Sequence, residues 1–116
     1  MFKYLALITE IISEEHLMIA VDLGFGVLKN QEFRLAGIDF SEFRSNQNKE
    51  KVALVKKTLT DALLNKEVTL KSLKSEKSGV YLAFIYLPGK ETSYNDELIA
   101  SGLLKAFVKR PTSPKK

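Results

Sequence analysis

At 116 residues, 45% of them hydrophobic and 28% charged, the chain is the size of one domain and apolar enough to bury a single core, which excludes wholesale disorder. No apolar run approaches the length of a membrane-spanning helix, and the absence of cysteine excludes disulfides and thiolate metal sites and fits a cytoplasmic protein. The net charge of +4 is concentrated, because residues 105–116 carry five basic side chains and no acid and leave the rest of the chain at −1, so a basic groove does not follow from composition.

Residues 2–12 are rich in Leu, Ile, Phe and Tyr but alternate only loosely. They read as a first strand rather than a signal peptide, since Thr9 and Glu10 interrupt the apolar run and no small-residue cleavage site follows. Ser13-Glu14-Glu15 reads as a tight turn. His16 to Leu23 predicts a second strand with Leu17, Ile19 and Val21 on one face. Gly24 and Gly26 around Phe25 permit a bulge or sharp bend. Val27 and Leu28 follow, and Lys29-Asn30-Gln31-Glu32 is expected as a polar break before the next strand. That strand puts Phe33, Leu35 and Gly37 on one face and Arg34 and Ala36 on the other, then ends in a polar turn carrying Asp39 and Glu42. One basic and two acidic side chains thus leave one strand end together. Such a set suits a phosphate, a hard cation and a base, and it equally suits a plain charged loop.

From about Asn48 to Leu64, Val52, Val55, Leu59 and Ala62 or Leu63 recur at helical spacing, and Asn65 is placed to end the helix. Val68, Leu70 and Leu73 predict a fourth strand, Lys74 to Gly79 a polar turn, and Val80 to Leu87 a fifth strand before Pro88-Gly89. Ser93 is positioned to cap a short helix through the Asp96 backbone N–H, and Gly102 to close it. Five strands, with one helix after the third and one after the fifth, fit the Greek-key barrel of the OB-fold among other small α+β folds. The domain is expected over residues 1–108. The basic, proline-containing tail at 109–116 is either a solubilising end or an attractor for nucleic acid or an acidic partner. His16 is the sole histidine, which gives a histidine metal cluster or relay little support. Gly24-x-Gly26 lacks the Lys-Ser/Thr of a phosphate loop. Phe40, Phe43 and Arg44 offer a stacking and phosphate-binding rim, or pack the loop onto the barrel.

Arg34-Leu35-Ala36-Gly37-Ile38-Asp39-Phe40-Ser41-Glu42 resembles the Arg-Leu-x-x-x-Asp-x-Pro-Glu signature of the staphylococcal nuclease (thermonuclease) family. Asp22-Leu23-Gly24-Phe25-Gly26, Leu82-Ala83-Phe84-Ile85-Tyr86 and Tyr94 to Leu103 resemble further family segments in the same order. The resemblance spans residues 4 to 106 and implies a five-stranded OB-fold of the staphylococcal nuclease type. In that family two carboxylates hold calcium, a glutamate acts on the attacking water and two arginines hold phosphate oxygens. The resemblance makes Arg34 the first arginine, Asp39 a calcium carboxylate and Glu42 the glutamate.

Two other positions depart from the pattern. The family's Asp-Gly-Asp-Thr turn reads Ser13-Glu14-Glu15-His16 here, so Glu15 stands in as the other Ca2+ ligand with a longer side chain and without the permissive glycine. The family's Lys-Tyr-Gly-Arg reads Lys77-Ser78-Gly79-Val80, so Val80 occupies the position of the second arginine. Losing such a transition-state donor costs a factor of roughly 10² to 10⁵. Lys74, Lys77 and Arg44 remain as cations for a nucleic acid backbone, although lysine lacks the bidentate fork of arginine. Ser41 replaces the proline of the signature, which loosens the loop carrying Glu42. The resemblance therefore implies a nucleic-acid-binding domain with an incomplete phosphodiesterase site. Its alternatives are a working calcium-dependent nuclease and a protein-interaction module on the same scaffold.

Overall fold

The computed structural model describes residues 2–43, 49–73 and 80–106. Strands β1 (Phe2–Ile11), β2 (His16–Asp22) and β3 (Leu28–Leu35) run as an antiparallel meander. A two-residue strand β4 (Ile38–Asp39) and a 3-10 turn (Ser41–Phe43) lead to helix α1 (Lys49–Leu63). Strands β5 (Glu67–Leu73) and β6 (Tyr81–Tyr86), helix α2 (Tyr94–Ala100) and the short strand β7 (Lys105–Ala106) complete the chain order. The first three strands close with β6 and β5 into a barrel in the order β1-β2-β3-β6-β5. Its one parallel pairing joins β3 to β6, as a Greek-key OB barrel requires. Among the described residues no helix is long and apolar enough to cross a membrane.

Alternation explains the core, and one exception explains the irregular first strand. Ala6, Ile8, Leu17, Ile19, Val21, Phe33, Leu35, Val68, Leu70, Ala83 and Ile85 point inward at every second position. In β1 the register against β2 shifts between Ile8 and Glu10. This bulge moves the next inward residue to Ile11, so the sequence loses its period of two at that point. Before the bulge, Leu5 and Leu7 alternate with inward Ala6 and Ile8 and lie on the outer face, 68% and 37% exposed.

The expected polar break at Lys29-Asn30-Gln31-Glu32 is corrected by the structure, because all four residues belong to β3 and pair with β2 from Val21 to Met18. Residues 29 and 30 are exposed, Asn30 on the outer face and Lys29 at the mouth of the barrel beside Val21 and Phe33, which accounts for their polarity. The reversal lies earlier, at Gly24-Phe25-Gly26, where all three residues have positive φ. Asp22 Oδ1 accepts the Gly24 N–H there at 2.8 Å, and Phe25 stands fully exposed at the tip.

Helix α1 buries Val55, Leu59 and Leu63 at four-residue spacing and leaves its lysines outside. Asn65 ends it with φ of 62°, and its N–H donates to the Ile8 carbonyl at 2.7 Å. Ser93 caps α2 by accepting the Asp96 N–H at 3.1 Å, as expected.

One side chain of the family-like segment from Tyr94 to Leu103 locks the barrel seam. Asn95 is wholly buried. It accepts the Ile85 N–H at 3.0 Å and donates to the Ala36 and Ala83 carbonyls at 2.8 and 2.9 Å. It thus fills the gap where β3 ends and β6 runs on, tying α2 to both strands.

Candidate functional site

The site begins at the turn between β1 and β2. Ser13 Oγ accepts the backbone N–H groups of Glu15 and His16 at 3.3 and 3.2 Å, a local side-chain turn that fixes the direction of Glu15. His16 Nδ1 lies 3.1 Å from Ser13 Oγ, and its Nε2 lies 3.9 Å from Glu32, so this histidine serves the turn. Register places His16 opposite Arg34, and the Glu15 carbonyl accepts the Leu35 N–H at 3.3 Å. Glu15 is therefore held against the end of β3 by main chain as well as side chain.

Arg34 projects from the outer face of β3 and meets Glu15. Its Nη2 donates to Glu15 Oε2 at 2.9 Å. Glu15 is 6% exposed overall, the only buried acidic residue among those described. The Arg34 Nε is also buried and has no hydrogen-bond partner among the described residues.

Beyond Leu35 the chain must turn sharply, and Gly37 with φ of +77° makes this possible. A side chain there would also press on the Phe84 ring at 3.4 Å. After the turn, Asp39 Oδ1 accepts the Ser41 N–H at 2.8 Å and Asp39 pairs with Lys105 across β4 and β7. Phe40 is buried and Phe43 packs against the core beside it, ring centroids 6.1 Å apart. These two rings pack the loop onto the barrel. Glu42 meets the Lys51 ammonium of α1 at 3.2 and 3.3 Å, and the same ammonium lies 5.9 Å from the Phe43 ring.

The structure thus joins Glu15 to Arg34, while Asp39 engages its own turn and Glu42 engages Lys51. Val80 is half-buried immediately before β6. Leu82 pairs with Arg34, which places Val80 two residues, about 7 Å, along the neighbouring strand. Arg44, Lys74 and Lys77 lie outside the described residues. Lys51 is the site residue that sequence reasoning missed. It lies nine positions from Glu42, across a turn, and no motif spacing links the two.

Four features bear on a calcium ion, which the resemblance implies. Glu15 is buried against Arg34, Glu42 is engaged by Lys51, and Asp39 caps a turn. Among the described residues, no three His, Asp or Glu side chains come together as a metal-holding group. This donor arrangement does not fit a hard cation that needs six to eight oxygens.

A family described as staphylococcal nuclease homologue matches residues 32–116 of the chain. No curated protein matches it.

Proposed function

Because the chain belongs to the staphylococcal nuclease homologue family, we propose that it binds nucleic acid through the barrel surface around Arg34 and cleaves phosphodiester bonds weakly or not at all. The observation that carries this reading is the 2.9 Å contact between Arg34 and Glu15. It joins to each other two residues that the resemblance assigns to phosphate and to calcium. Arg34 keeps 37% of its side chain exposed, and its guanidinium has further N–H donors for a phosphate oxygen. Glu15 orients that guanidinium. A cation at Glu15 competes with Arg34 for a carboxylate that is buried, and separating such a pair is costly.

The chemistry of hydrolysis requires more than one donor. Phosphoryl transfer builds negative charge that preorganised cations must meet, and a base must accept the proton of the attacking water. Val80 offers no donor at the second arginine position. Both oxygens of Glu42 face the Lys51 ammonium, which leaves fewer lone pairs for a water. Binding by Arg34 survives these changes, whereas rapid cleavage does not.

Fluorescence anisotropy with labelled single-stranded DNA and RNA tests binding, and cleavage of the same oligonucleotides in calcium tests the chemistry. Binding with Kd of roughly 10⁻⁴ to 10⁻⁶ M, weakened by Arg34→Ala and unaccompanied by cleavage, is the expected result. Cleavage at roughly 1 to 10³ per second overturns the impaired site, and absence of binding to either polymer overturns the nucleic acid reading.

A further inference from the structure

A second charged feature lies on the outside of the barrel, on strands β1, β5 and β6. The antiparallel register sets Lys3 directly opposite Lys71. Like charges facing each other across a ladder destabilise a sheet, and among the described residues neither lysine forms an ion pair. On the other side of β5, Thr69 pairs with Tyr86, and the Lys71 ammonium lies over the Tyr86 ring at 4.8 Å from its centroid. Lys90 joins these residues in lining a groove of about 370 Å³, with Glu91 as its one acid. The groove is therefore cationic, and it keeps an aromatic ring beside the charges.

We infer that this groove is a second contact surface for single-stranded nucleic acid, rests on the nucleic acid reading above, and lies apart from the Arg34 site. Point charges on lysine meet a phosphate backbone, and an aromatic ring beside them serves a base. That combination is what sequence-tolerant single-strand binders use. An acidic peptide needs the charges but not the ring. The position also fits one continuous strand. Leu82 pairs with Arg34, and Tyr86 lies four residues further along β6, about 13 Å away. OB-folds take about 4 to 16 nucleotides, more than a single arginine covers. The unfavourable Lys3–Lys71 pairing is then retained for binding, at the expense of stability.

The test uses the full chain and a fluorescein-labelled 20-nucleotide oligothymidylate, titrated at several salt concentrations. Lys3→Glu removes the like-charge pairing without altering Lys71 or Tyr86 themselves. It is expected to weaken binding about tenfold, because a cation is lost and an acid added at the strand, and to raise Tm by roughly 1 to 5 °C. Lys3→Gln combined with Lys71→Gln removes two phosphate contacts and is expected to lower the log–log salt slope by about 1.4. If the wild type binds and both variants bind equally well with an unchanged slope, the groove is not a contact surface, while the reading at Arg34 stands. If the wild type does not bind the oligonucleotide, both fall. A lower Tm for Lys3→Glu shows that the pairing is structural and overturns the inference. Equal binding of a polyglutamate peptide, lost to the same extent in Lys3→Glu, overturns it in favour of an acidic protein partner.

Discussion

Arg34 and Glu15 meet at 2.9 Å between the end of β3 and the β1–β2 turn, and they are unequally covered, with 37% of the arginine side chain exposed against 8% of the glutamate. The acid depends on the base more than the base depends on the acid. Arg34 can turn toward water when its partner is lost, whereas Glu15 cannot.

Arg34→Ala is therefore expected to cost more stability than Glu15→Gln. Removing one partner of a fully buried pair costs about 3 to 5 kcal/mol, and discounting for the exposed side of this pair gives about 2 to 4 for Arg34→Ala and about 1 to 2 for Glu15→Gln. Urea denaturation of the two variants measures both. The reverse order contradicts the assignment of Glu15 as the buried member.

Asn95 supplies a second test, of the scaffold rather than the site. It satisfies three backbone groups from a fully buried position. Asn95→Ala leaves all three without this partner and is expected to cost about 3 kcal/mol or more. Ser93→Ala, which removes only the helix cap, is expected to cost about 1 kcal/mol. Equal losses in urea denaturation contradict the role of Asn95 in holding the barrel seam.

Asn95 and the Arg34–Glu15 pair also mark the limit of what the sequence reveals. The strands carrying Leu17, Ile19 and Val21, or Ala83 and Ile85, are legible because inward residues alternate against a polar exterior. Helix α1 is legible because Val55, Leu59 and Leu63 recur at its period. The first half of β3 is not legible, since Lys29 and Asn30 face water and pairing with β2, rather than local propensity, makes them a strand. The two-residue strands β4 and β7 are too short to leave a period. Arg34, Asp39 and Glu42 stand out through their motif. The contacts Arg34 to Glu15 and Glu42 to Lys51 join residues 19 and nine positions apart, so only the fold brings them together. Asn95 lies in a family-like segment, but its three backbone partners become known only from the fold.

Alkaline pH gives a third prediction. Burial raises the pKa of the Tyr94 hydroxyl above its ordinary value of 10.0, and the nearby Glu97 carboxylate adds to the rise. The folded protein thus holds this proton when the unfolded chain has begun to lose it. Below pH 10 the two states bind it equally, and above it stability falls as pH rises through the folded value. Tyr94→Phe is expected to flatten the decline of Tm above pH 10 relative to the wild type. An identical decline in the variant removes Tyr94 as its source.

Introducing the residues that the resemblance calls for at positions 80 and 15 tests the site chemistry. Val80→Arg supplies a phosphate donor, and Glu15→Asp shortens the acid that now reaches Arg34. The double variant is expected to raise calcium-dependent cleavage roughly 10²-fold. Both changes serve one charge-stabilising step, so the gain need not equal the product of the single gains. Glu42→Gln in that background is expected to abolish it. A folded double variant with no gain shows that the site differs from the family at further positions.

The most direct measurement follows binding and cleavage of one labelled single-stranded DNA by the wild-type protein, with protein in excess and calcium present. Anisotropy reports the complex, and gel separation of the same samples reports the products. The account predicts a saturable complex that Arg34→Ala weakens, with DNA intact after many minutes. Cleavage of the bound strand within about a second, the range of ordinary enzymes, contradicts a site whose charges are committed to one another.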